Sequence, residues 1–198
     1  MSGLIYKMDI ISCRYDKKKF GIDKNIFIRY AVELLQNKKI LIVYHNDCDG
    51  IVSAVLVSHF LNLLHNKIGL LPVAQFRESE FTLIEKAIRT GYYTNIFFCE
   101  GHNFSKEYIK FSDISFNIDH HPVTIIIKHQ LNANNYGFTN NPANAAFVYN
   151  IFYDYIKTAG FEEWVSLAVI MDYCQDASIK FLNTIRLNPA LLKNCREI

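Results

Sequence analysis

The sequence predicts an α/β fold: a mostly parallel sheet of about five strands, with helices on both faces and a helical C-terminal part. Two patterns carry this reading. Short apolar runs rich in β-branched residues alternate with stretches of helical apolar spacing, the order that builds a parallel sheet covered on both sides. Clusters of acids and histidines follow three of those runs, after Tyr44, Cys99 and Ile118. Ligands of such sheets sit beyond the carboxyl ends of the strands, so the three clusters belong to one edge.

The elements follow in order. Arg14 to Lys19 is a short basic run, read as a solvated loop, with contact to a phosphate backbone as the alternative. Asn25 to Asn37 has helical spacing through Ile26, Ile28, Ala31, Leu34 and Leu35. Lys39 to Tyr44 is a buried strand and Gly50 to Asn66 a helix. Leu70 to Phe76 is the next strand, and Phe81 to Thr90 a helix closed by Gly91. Asn95 to Cys99 is the third strand, Ser105 to Phe111 a short helix, Ile114 to Ile118 the fourth strand and Val123 to Lys128 the fifth. Ala143 to Thr158 is a long helix closed by Gly160, and Glu162 to Asp172 another. Ala177 to Leu187 and Ala190 to Asn194 continue helical. His59 and His65 read as packing or surface groups on their helix, and Trp164 as core or a partner contact. The 15 Phe and 12 Tyr are mostly spaced as core, with stacking on bases as their minority use.

A chain of 198 residues, 51% hydrophobic and 20% charged, suits one globular domain with its own core. That domain spans 1–198, with a motif-bearing core at 38–176 and a helical tail at 177–198. Lys and Arg number 21 against 19 acids, a balance that argues neither for nor against nucleic acid. The five cysteines contain no CxxC pair and read as reduced thiols of an intracellular protein, so the expected location is the cytoplasm. Charges come too early at the N-terminus for a signal peptide. The longest apolar run, Ile51 to Leu64, is too short and too polar to span a bilayer, so no membrane is expected.

Two motifs carry chemistry. In His45-x-Asp47-x-Asp49-Gly50, alternate residues of an extended or turning segment point the same way, so the His and both Asp can converge. The bland reading is a strand-to-helix turn capped by Asp49. In Asp119-His120-His121-Pro122, three ionisable residues follow a buried strand, an arrangement that is costly unless they are paired or metal-bound. Carboxylates and imidazoles together suit Mn, Mg, Fe or Zn, and two clusters supply enough ligands for a pair of ions. Hydrolysis at phosphorus is the chemistry this points to.

The two motifs resemble motifs I and III of the DHH phosphoesterase superfamily, over roughly residues 38 to 176. That superfamily includes RecJ-type single-strand exonucleases, oligonucleotide and cyclic-dinucleotide phosphodiesterases, pyrophosphatases and exopolyphosphatases. The form of motif I, followed by Ser53-Ala54, is closest to RecJ-like and archaeal members. The resemblance implies two ions, Mn²⁺ preferred and Mg²⁺ possible, held by His45, Asp47, Asp49, Glu100, His121 and Asp172. Glu100 stands where the family has an Asp that bridges both ions. His102 is a further candidate ligand, and Asp176 competes with Asp172. His120 is expected near the non-bridging oxygens or as donor to the leaving group, and Asp119 as a ligand or as the acceptor that orients one. Exposed amides around Asn141 and Asn144, at a helix start, are candidates to hold a substrate phosphate.

RecJ-like relatives carry a second, C-terminal domain that grips substrate, and the sequence is expected to lack it. The sequence is then a minimal catalytic module, a piece cut at the linker, or a subunit whose grip comes from a partner protein or a second copy. Lys180, Arg186, Lys193 and Arg196 give the tail a basic cast suited to a phosphate backbone or a partner. The expected substrate is a single-stranded DNA end or a short oligonucleotide. An inactive scaffold subunit is the main alternative, followed by a cyclic-dinucleotide phosphodiesterase or a pyrophosphatase.

Overall fold

The computed structural model describes residues 15–74, 76, 78–101, 106–122, 126–138 and 141–172. Asp16 opens the first helix, α1 (Lys17–Leu35), its side chain accepting from the Lys19 amide at 2.9 Å. Lys17, Lys18 and Lys19 therefore form its first turn, so this part of the basic run is not a loop. Gly21 weakens helix propensity there by about 1 kcal/mol relative to Ala, which hides the early start in the sequence. Tertiary contacts override it: Phe20 is buried against Tyr136 and Phe147, and the Asp16 amide donates to the Tyr136 carbonyl at 2.8 Å.

Five strands follow: β1 (Lys39–His45), β2 (Lys67–Val73), β3 (Asn95–Cys99), β4 (Ser115–Asp119) and β5 (His129–Asn132). They form one all-parallel sheet in the order β2-β1-β3-β4-β5. The α/β expectation holds. The second strand starts three residues before Leu70 and ends at Val73 instead of Phe76. The fifth strand is His129–Asn132, not Val123 to Lys128, of which 123–125 lie outside the described residues. High β propensity in that run did not decide the pairing, because a strand forms where its side chains pack on the sheet. The His129 ring stacks on Phe116 at 4.6 Å, opposite its register partner, whereas Ile126 is 80% exposed.

The pleat sends alternate residues to opposite faces. Ile40, Ile42, Phe97, Cys99, Phe116 and Ile118 face one core, built with α1, α2 (Cys48–Leu63), α4 (Asn144–Ile156) and α5 (Glu162–Met171). Leu41, Val43, Ile96 and Phe98 face a smaller core under α3 (Glu78–Arg89) and a 3₁₀ segment, Lys106–Ile114. That segment stands where a short helix was expected from Ser105 to Phe111. In the larger core Phe60 of α2 stacks on Phe152 of α4 at 4.1 Å, both fully buried. Each such ring contributes about 1.5–3 kcal/mol by leaving water. Gly160, with φ of +73°, closes the turn between α4 and α5. Trp164 is 61% exposed and belongs to neither core. The expected helices at 177–187 and 190–194 lie outside the described residues. Among the described residues, no helix is long and apolar enough to cross a membrane.

Candidate metal centre

Register alone brings three chain segments level. Tyr44 pairs with Cys99, and Cys99 with Ile118, so the next residues, His45, Glu100 and Asp119, stand side by side at the carboxyl edge. β3 lies between β1 and β4, which places Glu100 between the two motifs.

Motif I wraps this edge tightly. Asp47 caps α2, its Oδ1 accepting from the Gly50 amide at 2.8 Å, while its Oδ2 meets His45 Nδ1. A Cβ at Gly50 would lie 2.1 Å from the His45 carbonyl oxygen, so the backbone itself closes on the turn and only glycine fits. His45 Nε2 lies 2.9 Å from the Ala74 carbonyl. A carbonyl only accepts, so Nε2 carries a proton, while Nδ1 faces the Asp47 and Glu100 carboxylates. One imidazole nitrogen and two carboxylates brought this close are donors suited to a shared cation.

His120 repeats the logic. Its Nδ1 is 2.8 Å from the Pro142 carbonyl, which assigns the proton there. Nε2 is then a bare lone pair, buried without a hydrogen-bond partner among the described residues, 3.9 Å from Asp49 Oδ2. Asp172, at the C-terminal end of α5, brings its Oδ2 within 3.8 Å of the same ring. Two groups result: His45, Asp47 and Glu100; and Asp49, His120 and Asp172. Within each, the ligand atoms all lie within 4.8 Å of one another. These donors, and the bare buried nitrogen, fit hard divalent cations.

His121 stands apart from both groups. Its Nδ1 and its backbone amide both reach Asp119 Oδ1, each at 2.9 Å. Asp119 is fully buried, and its Oδ2 has no hydrogen-bond partner among the described residues.

Asp49 has a second task that the sequence did not disclose. Its two oxygens accept from the backbone amides of Asn144 and Ala145, both at 2.7 Å, at the start of α4. An anion at a helix N-terminus is favourable. Asn141 and Asn144, the residues expected to hold a substrate phosphate, are engaged within the fold as follows. Asn144 is fully buried, with its amide on Asp49 and its side chain donating to Ser53 Oγ at 3.1 Å. The Asn141 side-chain amide donates to the His120 carbonyl at 2.7 Å and to Asn134 at 3.1 Å.

Burial and mutual repulsion shape the titration. Burial pushes Asp49 from its usual 3.8 up to about 6, against hydrogen bonds from Glu100, Ala145 and Asn144. Glu100 is raised well above the usual carboxylate range, by burial first and by Asp49 second. Burial, then the neighbouring His121, lowers His120. Burial also opposes charge on His121, but the hydrogen bond and charge of Asp119 outweigh it and raise that ring above its usual value. A cation at this sheet edge would relieve acids held up in this way.

The sequence reading missed the asparagines behind the histidines. Asn132 donates to the His121 carbonyl at 2.9 Å and Asn134 to that of His120 at 2.8 Å. The available signal was the polar cluster Asn132-Ala133-Asn134-Asn135 after an apolar residue. His102 and Asp176 lie outside the described residues. His59 packs its ring on Phe161 at 5.2 Å, a packing role as expected.

The profile of the DHH family, N-terminal domain, matches residues 39–174. The chain belongs to the DHH family. Among solved structures it is similar to RecJ in complex with Mn²⁺ from Thermus thermophilus, at a TM-score of 0.59 and 11% identity, over 83% of this chain and 26% of that one. A structure of exonuclease RecJ bound to manganese aligns at a TM-score of 0.59 and 10% identity, over 81% and 47% of the two chains. An exopolyphosphatase-related protein from Bacteroides fragilis aligns at 0.50 and 12% identity, over 89% and 55%. At these identities the likeness shows a shared fold, and this chain spans about a quarter to about half of those proteins. No curated protein matches the chain.

Proposed function

We propose that this DHH protein is a divalent-metal-dependent phosphoesterase that cleaves single-stranded nucleic acid ends or short oligonucleotides. One observation carries the reading: two ligand groups, from strands brought together by register, meet at the Asp49–Glu100 hydrogen bond. His45, Asp47 and Glu100 would hold one ion, and Asp49, His120 and Asp172 the other, with Mn²⁺ preferred over Mg²⁺. Bound divalent ions supply a water of lowered pKa and neutralise charge on phosphorus.

The two histidines divide the work differently from the expected ligand set. The geometry favours His120 as the ligand, because its bare Nε2 faces Asp49. His121, held by Asp119 and raised above its usual value, is suited to donate a proton to the leaving oxygen or a hydrogen bond to a non-bridging one. Asp119 orients His121 and favours its charged form. The free thiols of Cys48 and Cys99 fit a reducing compartment such as the cytoplasm.

The test is hydrolysis of a 5′-phosphorylated single-stranded oligonucleotide ladder with Mn²⁺, beside a dinucleotide, pyrophosphate and a cyclic dinucleotide, with Asp172→Asn as control. Cleavage of the ladder or the dinucleotide that the control loses supports the reading. Turnover of pyrophosphate alone, or of the cyclic dinucleotide alone, replaces the substrate. Folded protein inert on all of them, with and without Mn²⁺, leaves the scaffold reading.

A further inference from the structure

The pole of the sheet opposite the metal centre is built without acids. Three chain segments meet there, 34–40 leading into β1, 61–69 into β2 and 89–95 into β3. They carry Lys38, Lys39, Lys67 and Arg89, and not one Asp or Glu. The Lys67 amide donates to the Lys38 carbonyl at 2.9 Å and the Thr94 amide to that of Lys39 at 2.8 Å, which locks the segments into one corner. Register then sets two cations side by side: Lys39 of β1 pairs with Lys67 of β2, so both side chains leave the same face of adjacent strands. Like charges placed directly opposite on neighbouring strands destabilise a sheet. Arg89 has Glu85 at 3.6 Å, whereas Lys38, Lys39 and Lys67 have no carboxylate within ion-pairing distance among the described residues. Two tyrosines line the corner. Lys39 Nζ lies 4.7 Å from the centre of the Tyr92 ring, and the half-exposed Tyr92 meets Tyr93 edge to face at 4.9 Å. Tyr93 in turn lies over β2: a Cβ at Gly69 would come within 2.0 Å of its hydroxyl, so the strand gives up a side chain to seat the ring. Repulsion left uncompensated within the fold, beside a ring that holds one of the cations, describes a surface arranged to meet an anion.

We propose that this corner is a second contact surface for single-stranded nucleic acid, with Lys38, Lys39 and Lys67 on backbone phosphates. The proposal rests on the phosphoesterase reading above and extends it to a pole of the molecule that takes no part in cleavage. Sequence-independent grip on a single strand combines cations that track the backbone with aromatic rings beside them, and both are present here. The seven residues of β1 put about 20 Å between Lys39 and His45. A dinucleotide at the metal centre therefore leaves the corner empty. A strand of about thirty nucleotides, on the order of 100 Å long even at the duplex rise, touches both. The corner thus favours long strands over short ones without altering the chemistry.

The experiment measures binding of a fluorescein-labelled oligo-dT of about thirty nucleotides to the full chain by anisotropy, in EDTA to prevent cleavage, across a salt series. The comparison is a triple variant, Lys38→Gln with Lys39→Gln and Lys67→Gln. Each phosphate contact adds about 0.7 to the slope of log K against log salt on a single strand. The triple variant should bind more weakly, with a slope shallower by about 2, while its Mn²⁺-dependent turnover of a dinucleotide matches wild type. Unchanged affinity and slope in the variant, or no binding by wild type at about 50 mM salt, overturns the proposal; dinucleotide turnover then keeps the phosphoesterase reading standing. A variant that loses dinucleotide turnover in step with binding also overturns it, because the corner is then structural. Poly-glutamate held by wild type as tightly as the oligonucleotide overturns the assignment to nucleic acid. Should the triple variant fail to fold, Lys67→Gln decides alone: a slope shallower by about 0.7 supports the proposal, and an unchanged slope overturns it. Wild type that binds the strand with this salt dependence yet turns over no phosphoester supports the corner and overturns the phosphoesterase reading.

Discussion

Replacing Glu100 with Gln should stabilise the metal-free protein and remove its stabilisation by Mn²⁺. Without a cation, Asp49 and Glu100 are two buried acids in contact, both raised by burial: Asp49 to about 6, Glu100 well above its usual 4.5. An acid raised in the folded state contributes its full stability below its unfolded value and loses it as pH climbs through the folded value. The metal-free protein therefore loses stability from about pH 4 through pH 6 and beyond. Asp49 titrates in both proteins, so the difference comes from Glu100 itself, which is raised well above its usual value by burial, and each unit of that displacement is about 1.4 kcal/mol. For a chain of this size each kcal/mol is about 2–4 °C in Tm. Gln keeps the length and hydrogen-bonding ability of Glu100 without a charge to bury. Thermal melts of both proteins in EDTA from pH 4.5 to 8 give the difference directly. Lowered His120 acts in the opposite direction, its stability being lost as pH falls, but it is common to both proteins and cancels. The two melts should coincide near pH 4.5, with the Gln variant ahead by several degrees at pH 8. Saturating Mn²⁺ should then raise wild type above it. A difference that is absent, or that shrinks as pH rises, refutes the reasoning.

The other predictions are shorter. Gly50→Ala drives a Cβ to 2.1 Å from a backbone oxygen, so it should lower stability by about 1–3 kcal/mol and weaken Mn²⁺ uptake together, seen in melts and calorimetry. His121→Gln should lower kcat by about 10²–10⁴-fold while Mn²⁺ binding stays near wild type; His120→Gln should instead lose the ion held with Asp49 and Asp172. Mn²⁺ uptake near pH 6 should release protons from Asp49 and Glu100, and calorimetry in buffers of different ionisation enthalpy would reveal their number. Phe60→Ala empties the α2–α4 stack and should cost about 3–5 kcal/mol, read as a fall in Tm with ion stoichiometry unchanged.

Much of this architecture was legible in the sequence because its signals are local. β1, β3 and β4 are apolar runs whose period and β-branched content need no tertiary knowledge, and each ends in residues a buried strand rejects. Fold class, sheet edge and the residues gathered there follow from that. What the tertiary structure alone decided depended on contacts between distant segments. Whether the apolar run before His129 or the residues after it became β5 turned on packing against Phe116. The start of α1 turned on Phe20 and Tyr136, more than a hundred residues apart. The division of labour between His120 and His121 turned on the Pro142 carbonyl, which takes the proton side of one ring, and on Asp119, which holds the other. Asp49 reads as a motif acid in sequence, yet its grip on the amides of α4 spans some ninety-five residues. Periodicity and residue type record what each segment will become; tautomer, bridging and clamping arise only when separate segments present lone pairs and protons to one another.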